Sequence, residues 1–293
     1  MGTMESPADT AVERARREYA EDLCRRNDIA SPEILAAFAT VPRERFAGPG
    51  PWIVQSQGEA WKTPDADPRH VYQDALIVLD AAKHLNNGQP SLWAYHLAIL
   101  DVRRGDEILH LGCGTGYYTA ILAELTGANG KVTAIEIDHG LAYRARLALE
   151  PWPQVTALRG DGARGEFEPV DVIVVSAGAT HPLAAWLTAV KPGGKLLFPL
   201  TSNLEPPTTR HGPGTMVHLV RANADWFHAA LVSTAFFVDF EGARDERLNA
   251  DLKWALGRDK GVGVRSLRCD AHEKDQTCWL HGEGWCFSRL DPN

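Results

Sequence analysis

The sequence predicts a doubly wound α/β domain on a mostly parallel, seven-stranded sheet, with N-terminal helices before it and a small C-terminal extension after it. Three observations predict this class. Short apolar runs alternate with helical patterns of ten or so residues between Glu107 and Leu200, which is how a parallel sheet with helices on both faces reads. Two later apolar runs, Met216–Val220 and Leu231–Phe240, have no helix between them and predict an antiparallel edge hairpin. A glycine-rich turn joins the first apolar run to the first helix, at the strand end where such sheets bind ligands.

Composition narrows the classes. The chain has 293 residues, 44% hydrophobic and 23% charged, as an ordinary globular protein does, and that length suits one large domain with appendages. A net charge of −8 argues against a nucleic-acid partner, which demands a basic face. Residues 1–21 have no apolar core of signal-peptide type, and no run approaches the about 18 apolar residues of a membrane span. The five cysteines are odd in number and widely spaced, so they are no disulfide framework. The expectation is a cytoplasmic protein with no nucleic-acid and no membrane partner. The oligomeric state is left open.

The elements follow in order. Residues 10–27 repeat apolar positions at Val12, Ala15, Tyr19 and Leu23 and predict a helix. Ser31-Pro32-Glu33 starts a second one, with serine as N-cap and proline in the first turn, and Pro42 ends it. Residues 47–70, rich in Gly, Pro and polar residues, predict a long surface loop with Trp52 and Trp61 packed beneath it. Ser91–Leu100 reads as a helix. Strands are expected at 107–111, 132–137, 155–158, 171–176 and 195–200, with helices at 117–125, 141–149 and 184–190. After Gly242 come a polar helix, 244–256, and two short strands, 264–268 and 277–281. The domain division is thus 1–82 as helices and loop, 83–244 as the ligand-binding domain, and 245–293 as the extension.

Leu109-His110-Leu111-Gly112-Cys113-Gly114-Thr115-Gly116 carries the strongest signal. Glycines permit the tight turn, and the N–H groups of the helix that follows favour negative groups. A nicotinamide enzyme wants G-x-G-x-x-G, but that third position falls on Tyr117 or Thr119. The form here is G-x-G-x-G, which belongs to methyltransferases. Glu136 ends the next strand, twenty residues past Gly116, where a carboxylate accepts from both ribose hydroxyls. Gly160-Asp161-Gly162 ends the strand after it; alone the triplet is a turn, and in this place Asp161 can accept from an adenine amino group while Gly162 leaves room for the ring.

With these motifs on the page, the chain resembles the protein-L-isoaspartate O-methyltransferase family over about residues 35–242. The likeness rests on Val41-Pro42-Arg43-Glu44-Arg45-Phe46, Tyr72-Gln73-Asp74, Leu111 to Tyr118, Gly160-Asp161-Gly162, Val175 to Ala179, Lys191 to Lys195 and Phe236-Phe237-Val238, in the family's order. The resemblance implies a Rossmann-like methyltransferase fold. It implies S-adenosyl-L-methionine as cofactor, with S-adenosyl-L-homocysteine as product, and methyl transfer to an isoaspartyl side carboxylate. The expected cofactor contacts are His110, Gly112, Cys113, Gly114, Gly116, Glu136, Ile137, Asp161 and Gly162. Two positions depart. The family's substrate-contacting serine or threonine, in a segment like T-I-S-Q-P, aligns with Gly88 of Asn86-Asn87-Gly88-Gln89-Pro90-Ser91, and the usual acid of the glycine-loop strand is His110. The acceptor therefore stays open between a protein or peptide isoaspartate and another peptide or small carboxylate, and a cofactor-binding protein without transferase activity stands beside both. Gly88, Gln89 and Pro90 are the expected substrate-binding residues, and Asn87 and Ser91 the catalytic candidates that orient the acceptor oxygen.

Cys269-x-x-His272 and Cys278-x-x-His281, with Cys286 nearby, have zinc-like spacing. In a strand, however, residues three apart point to opposite faces. On that ground Cys278 and His281 are expected to diverge, and no metal is expected. Trp279 and Trp285 are expected to cover core.

Overall fold

Ser31 begins the second helix as its sequence predicts: its Oγ accepts from the Ile34 N–H at 3.2 Å. The structure, a computed structural model, describes residues 7–203 and 211–292. They pack as two units, one of Met1–Gly105, Cys113–Val132 and Asp138–Ala157, the other of Asp106–Gly112, Thr133–Ile137 and Leu158–Asn293.

In the first unit, α1 (Pro7–Arg26) lays Tyr19, Ala20, Leu23 and Cys24 into the core. Helix α2 (Pro32–Thr40) buries Ile34, Ala37 and Phe38, and one further turn, α3 (Glu44–Ala47), buries Phe46 and Ala47. The expected loop over 47–70 contains more order than that. Strands β1 (Ile53–Ser56) and β2 (Glu59–Lys62) form a hairpin, a 3-10 turn spans Pro68–Val71, and β3 (Leu76–Asp80) and β4 (Leu85–Asn86) complete a four-stranded sheet in the order β2-β1-β3-β4. This hairpin gives no sequence signal because it buries almost nothing: Val54 alone is buried in β1, and every residue of β2 is exposed. Trp52 packs beneath it with Val54, Val71 and Ile77, whereas Trp61 lies 40% exposed. Helices α4 (Pro90–Leu100), α5 (Tyr117–Thr126) and α6 (His139–Ala148) fill the rest of the unit.

The second unit is organised on a ten-stranded sheet in the order β13-β14-β12-β11-β10-β9-β8-β5-β6-β7. Its strands are β5 (Glu107–Leu111), β6 (Lys131–Glu136), β7 (Val155–Arg159), β8 (Val170–Val175), β9 (Val190–Thr201), β10 (His211–Arg221), β11 (Trp226–Val238), β12 (Ser266–Arg268), β13 (Cys278–Gly282) and β14 (Trp285–Ser288). The pairs β5–β8 and β8–β9 are parallel, and β9–β10 and β10–β11 antiparallel. Strands β5 to β11 are the seven that the sequence predicts. The other three belong to the C-terminal extension, so the β10–β11 hairpin is not an edge: β12 pairs with β11 at Trp226↔Arg268 to His228↔Ser266. Helix α7 (Ala184–Ala189) buries Trp186. Helix α8 (Glu246–Asp259), capped by Asp245 Oδ1, buries Leu252 and Ala255. Trp186, Phe198, Phe240, Leu252, Trp279, Trp285 and Phe287 share one core, as expected for the two extension tryptophans.

One expectation about the extension is overturned. Cys278 pairs with Ser288 and His281 with Cys286, with a register shift between Cys278 and Leu280. Strand β13 therefore advances three residues while β14 advances two. The bulge adds the odd residue that parity forbids, and it turns Cys278 and His281 to the same face, Sγ to Nδ1 4.0 Å.

The first unit closes around a charge. Arg43 is fully buried. Its Nη1 donates to the carbonyls of Val71 and Gln73, both at 2.7 Å, and its Nη2 to that of Ala75 at 2.6 Å. The guanidinium carbon stands 5.7 Å from the ring centroids of both Tyr19 and Tyr117. Arg43→Met removes three donors from buried carbonyls, at about 1–3 kcal/mol each. The expected outcome is a loss of about 3 kcal/mol or more of stability, read from the urea midpoint at unchanged m-value.

Candidate functional site

Four neighbouring strands of the ten-stranded sheet, β8, β5, β6 and β7, present their C-terminal ends side by side. Strand β5 is buried from Ile108 to Leu111 because it lies in the middle of the sheet. Its end is fixed on both sides: the Gly112 N–H donates to the Ile135 carbonyl at 2.8 Å, and the Ser176 N–H to that of Leu111 at 2.9 Å. Gly112, Gly114 and Gly116 all have left-handed φ values, 71°, 60° and 94°, which side chains disfavour. The loop therefore turns sharply between β5 and α5, with Cys113 and Thr115 buried and Gly112 and Gly114 half-buried. Gly116 is the N-cap of α5 and makes no side-chain hydrogen bond there, so the helix starts without a side-chain cap of its own. Cys113, between the first two glycines, is buried.

Glu136 closes β6 with a side chain only 6% exposed. Its backbone carbonyl accepts from the Gly160 N–H at 3.0 Å, which ties the ends of β6 and β7 together. Ile137 follows, 40% exposed. In the next turn Asp161 Oδ1 accepts from the Ala163 N–H at 2.9 Å, and Oδ2 stands 3.3 Å from Arg164 Nε. Trp186 Nε1 donates to the Gly162 carbonyl at 2.9 Å. A Cβ on Gly162 would sit 2.9 Å from Phe240 Cζ, so the space beside that glycine is filled by the protein's own ring. Gly112, Glu136, Ile137, Asp161 and Gly162 thus stand at one edge of the sheet.

His110 lies one position further in. It is 1% exposed, and its Nε2 is 2.8 Å from Ser176 Oγ. Burial depresses its pKa to about 3, so the imidazole is neutral near pH 7 and the strand brings no charge beneath the loop. His110 is packed into the strand.

The segment 86–91 belongs to the first unit. Asn87 Oδ1 accepts from the Ile77 N–H at 2.8 Å and lies 3.5 Å from Arg43 Nη2. Asp74 Oδ1 accepts from Gln89 Nε2 at 2.8 Å and from the Ser91 N–H at 2.9 Å. It thereby caps α4, whose own N-cap, Gln89, makes no side-chain cap bond. Pro90 is buried as the first residue of that helix. Gly88 has φ +78°, and a Cβ there would fall 2.7 Å from Trp93 Nε1. This backbone does not accommodate a serine.

A family model described as protein-L-isoaspartate(D-aspartate) O-methyltransferase matches residues 15–211. The chain belongs to this family. Among its relatives, a protein-L-isoaspartate O-methyltransferase of Ignicoccus hospitalis is 32% identical over 193 residues, 64% of this chain and 83% of that protein. One from Thermotoga maritima is 30% identical over 183 residues, 59% of this chain and 52% of that protein. Two solved structures share the fold. A protein-L-isoaspartate O-methyltransferase superposes with a TM-score of 0.62 at 24% identity, over 83% of this chain and 69% of that one. A Plasmodium falciparum structure in complex with S-adenosyl-L-homocysteine gives 0.59 at 15% identity, over 78% and 98%. The family match stops short of the extension that carries β12, β13 and β14.

Sequence reasoning missed two residues that shape the methyltransferase's 71–91 segment. Arg43 and Asp74 were visible as parts of family motifs, but their partners are mostly backbone groups, which no motif displays. Among the described residues no helix is long and apolar enough to cross a membrane.

The buried histidine has a consequence for acid stability. In the unfolded chain His110 titrates at about 6.5, whereas in the fold it titrates at about 3. Between those values the unfolded state binds the extra proton, so stability is full above about pH 6.5 and falls as pH drops through that window. His96, lowered by burial to about 4, acts in the same direction. His110→Gln should flatten the slope of unfolding free energy against pH between 6 and 4 by about one proton, as measured by urea titrations at several pH values.

Proposed function

We propose that this chain is an S-adenosylmethionine-dependent O-methyltransferase acting on a carboxylate, with the isoaspartyl side carboxylate of a protein or peptide as acceptor. The observation that carries the reading is the family match over 15–211 together with three left-handed glycines after β5. S-adenosylmethionine supplies a methyl group already activated by its sulfonium.

The residues suit that cofactor. The glycine turn of Gly112 to Gly116, which runs into the N-terminus of α5, suits its carboxylate end. Glu136, a carboxylate held at the end of the neighbouring strand, suits the ribose hydroxyls. Ile137 offers an apolar surface for the adenine, and Asp161 an acceptor for its amino group. Neutral His110 lies in the strand that leads into the loop, and Cys113 is buried within the loop. An acceptor carboxylate, with a reference pKa near 4, is ionised near pH 7, so the site has no need of a general base. What the protein contributes is in-line alignment, with reacting atoms about 3–3.5 Å apart, and exclusion of water. With its Oδ1 held by Ile77, Asn87 keeps Nδ2 as a donor to the acceptor oxygen. Ser91 offers its hydroxyl, and Gly88, Gln89 and Pro90 shape the backbone around them. No nucleic acid or membrane enters this reading.

One observation favours a second acceptor. The family's serine position holds a glycine whose conformation a serine strains. That supports a relative tuned to another peptide or small carboxylate. An isoaspartyl peptide incubated with methyl-labelled cofactor separates the readings. A base-labile methyl ester supports the first, and transfer to other carboxylates but not to isoaspartate supports the second. Bound S-adenosylhomocysteine with no transfer to any carboxylate overturns both.

Two variants test the residues. Glu136→Ala is expected to weaken S-adenosylhomocysteine binding at least tenfold, about 1.4 kcal/mol, by calorimetry on a protein that still melts cooperatively. Gly88→Ser is expected to cost about 1–3 kcal/mol in stability through backbone strain, and not to improve turnover of the isoaspartyl peptide.

A further inference from the structure

The extension gathers four soft donors that the methyltransferase chemistry does not use. One nitrogen or sulfur atom from each of His272, Cys278, His281 and Cys286 lies within 4.8 Å of the other three. Cys278 Sγ is 3.8 Å from His272 Nε2 and 4.0 Å from His281 Nδ1. Tetrahedral zinc, with bonds of about 2.3 Å to sulfur and about 2.0–2.1 Å to nitrogen, sets its ligand atoms about 3.3–3.8 Å apart. The Cys278 contacts therefore need to contract by only a few tenths of an ångström, and the widest separation in the cluster by about 1–1.5 Å. We propose that His272, Cys278, His281 and Cys286 bind one Zn²⁺ in a closed structural site that pins the loop between β12 and β13 to the β13–β14 hairpin.

The backbone builds this site. His281 and Cys286 face each other across the β13–β14 hairpin, and the bulge after Cys278 brings the third ligand to their face. His272 arrives from the loop between β12 and β13. The opposite face of the hairpin puts Trp279, Leu280 and Phe287 into the main core, so the donors have a rigid support. Cys269, which the sequence spacing paired with His272, is not in the cluster.

The surroundings suit metal ligation. His272 Nδ1 is 2.8 Å from the Asp270 carbonyl. A ring N–H donating there leaves the Nε2 lone pair aimed at the cluster, the usual outer support of a metal-bound histidine. The Asp275 N–H donates to Cys278 Sγ at 3.3 Å, and the Asp275 Oδ1 stands 3.6 Å from the same sulfur, where it can take the thiol proton. Both cysteines are buried, Cys286 completely. Two thiolates neutralise a divalent cation, so the buried group carries no net charge. Two sulfurs and two imidazoles in a tetrahedral set select zinc over the harder cations. Four protein donors leave no position for water or substrate, which makes the site structural.

The test uses the full chain, purified without chelator from zinc-supplemented cells, with zinc measured by mass spectrometry. One equivalent per chain is expected. Cys278→Ser and Cys286→Ser should each fall below about a tenth of an equivalent, while Cys269→Ser keeps the metal. Because a variant can lose zinc by unfolding, the wild-type chain is also stripped and titrated with Co²⁺. The expected result is the intense visible absorption of tetrahedral thiolate-bound cobalt, saturating at one equivalent and abolished by Zn²⁺. A folded wild-type chain with no zinc and no such spectrum overturns the proposal. So does an intact mass two hydrogens short, with Cys278 and Cys286 joined as a disulfide, in protein purified under reducing conditions.

Discussion

The first unit depends on a cation where most proteins put hydrocarbon. Arg43 is buried among Tyr19, Tyr117 and the carbonyls of Val71, Gln73 and Ala75. A buried guanidinium is expensive unless its donors are satisfied. Alternate residues of one short stretch supply the acceptors, so desolvation and folding of that stretch are coupled. Its shape then fixes Asp74, whose carboxylate caps α4 and holds Gln89. Asn87, on the far side of the same guanidinium, closes onto Ile77. The 71–91 segment thus inherits its form from one side chain outside it.

The second unit follows a different logic. Its strand ends are set by ladder hydrogen bonds from buried apolar strands, and the polar residues come last, at the C-terminal rim. A carboxylate at the end of β6, an aspartate turn after β7 and a glycine loop after β5 stand at that rim. Each is placed by residues with no chemistry of their own, such as Leu111, Ile135 and Trp186. His110 shows how the sheet absorbs a departure from the family pattern. Buried and neutral, it satisfies itself on Ser176 instead of charging the floor of the loop.

Much of this was legible before any coordinates. Ser31-Pro32 marked a helix start because its capping chemistry is local, and Ile108 to Leu111 marked a central strand because burial on both faces demands an apolar run. The hairpin at 53–62 was illegible because its residues bury so little that no period survives. The place of β10 and β11 within the sheet was hidden because three short strands, of three to five residues each, cover β11 from beyond. Cys278 and His281 failed for a sharper reason: parity counting assumes an unbroken ladder, and one bulge reverses it. Arg43 reads from sequence only as one residue of a family segment, since the backbone carbonyls that receive it leave no mark in the residues that bear them.

The order β13-β14-β12 also bears on how the chain comes off the ribosome. The strand made last, Trp285–Ser288, lies between two made earlier, so β12 and β13 have no lateral neighbour in common until residue 288 has cleared the exit tunnel. Until then β12 presents a bare flank beside the finished β9–β10–β11 meander, and unpaired flanks of this kind recruit other nascent chains. The interval between synthesis of Phe227 and of Phe287, which share one core, is therefore the window in which a holding chaperone has most to protect.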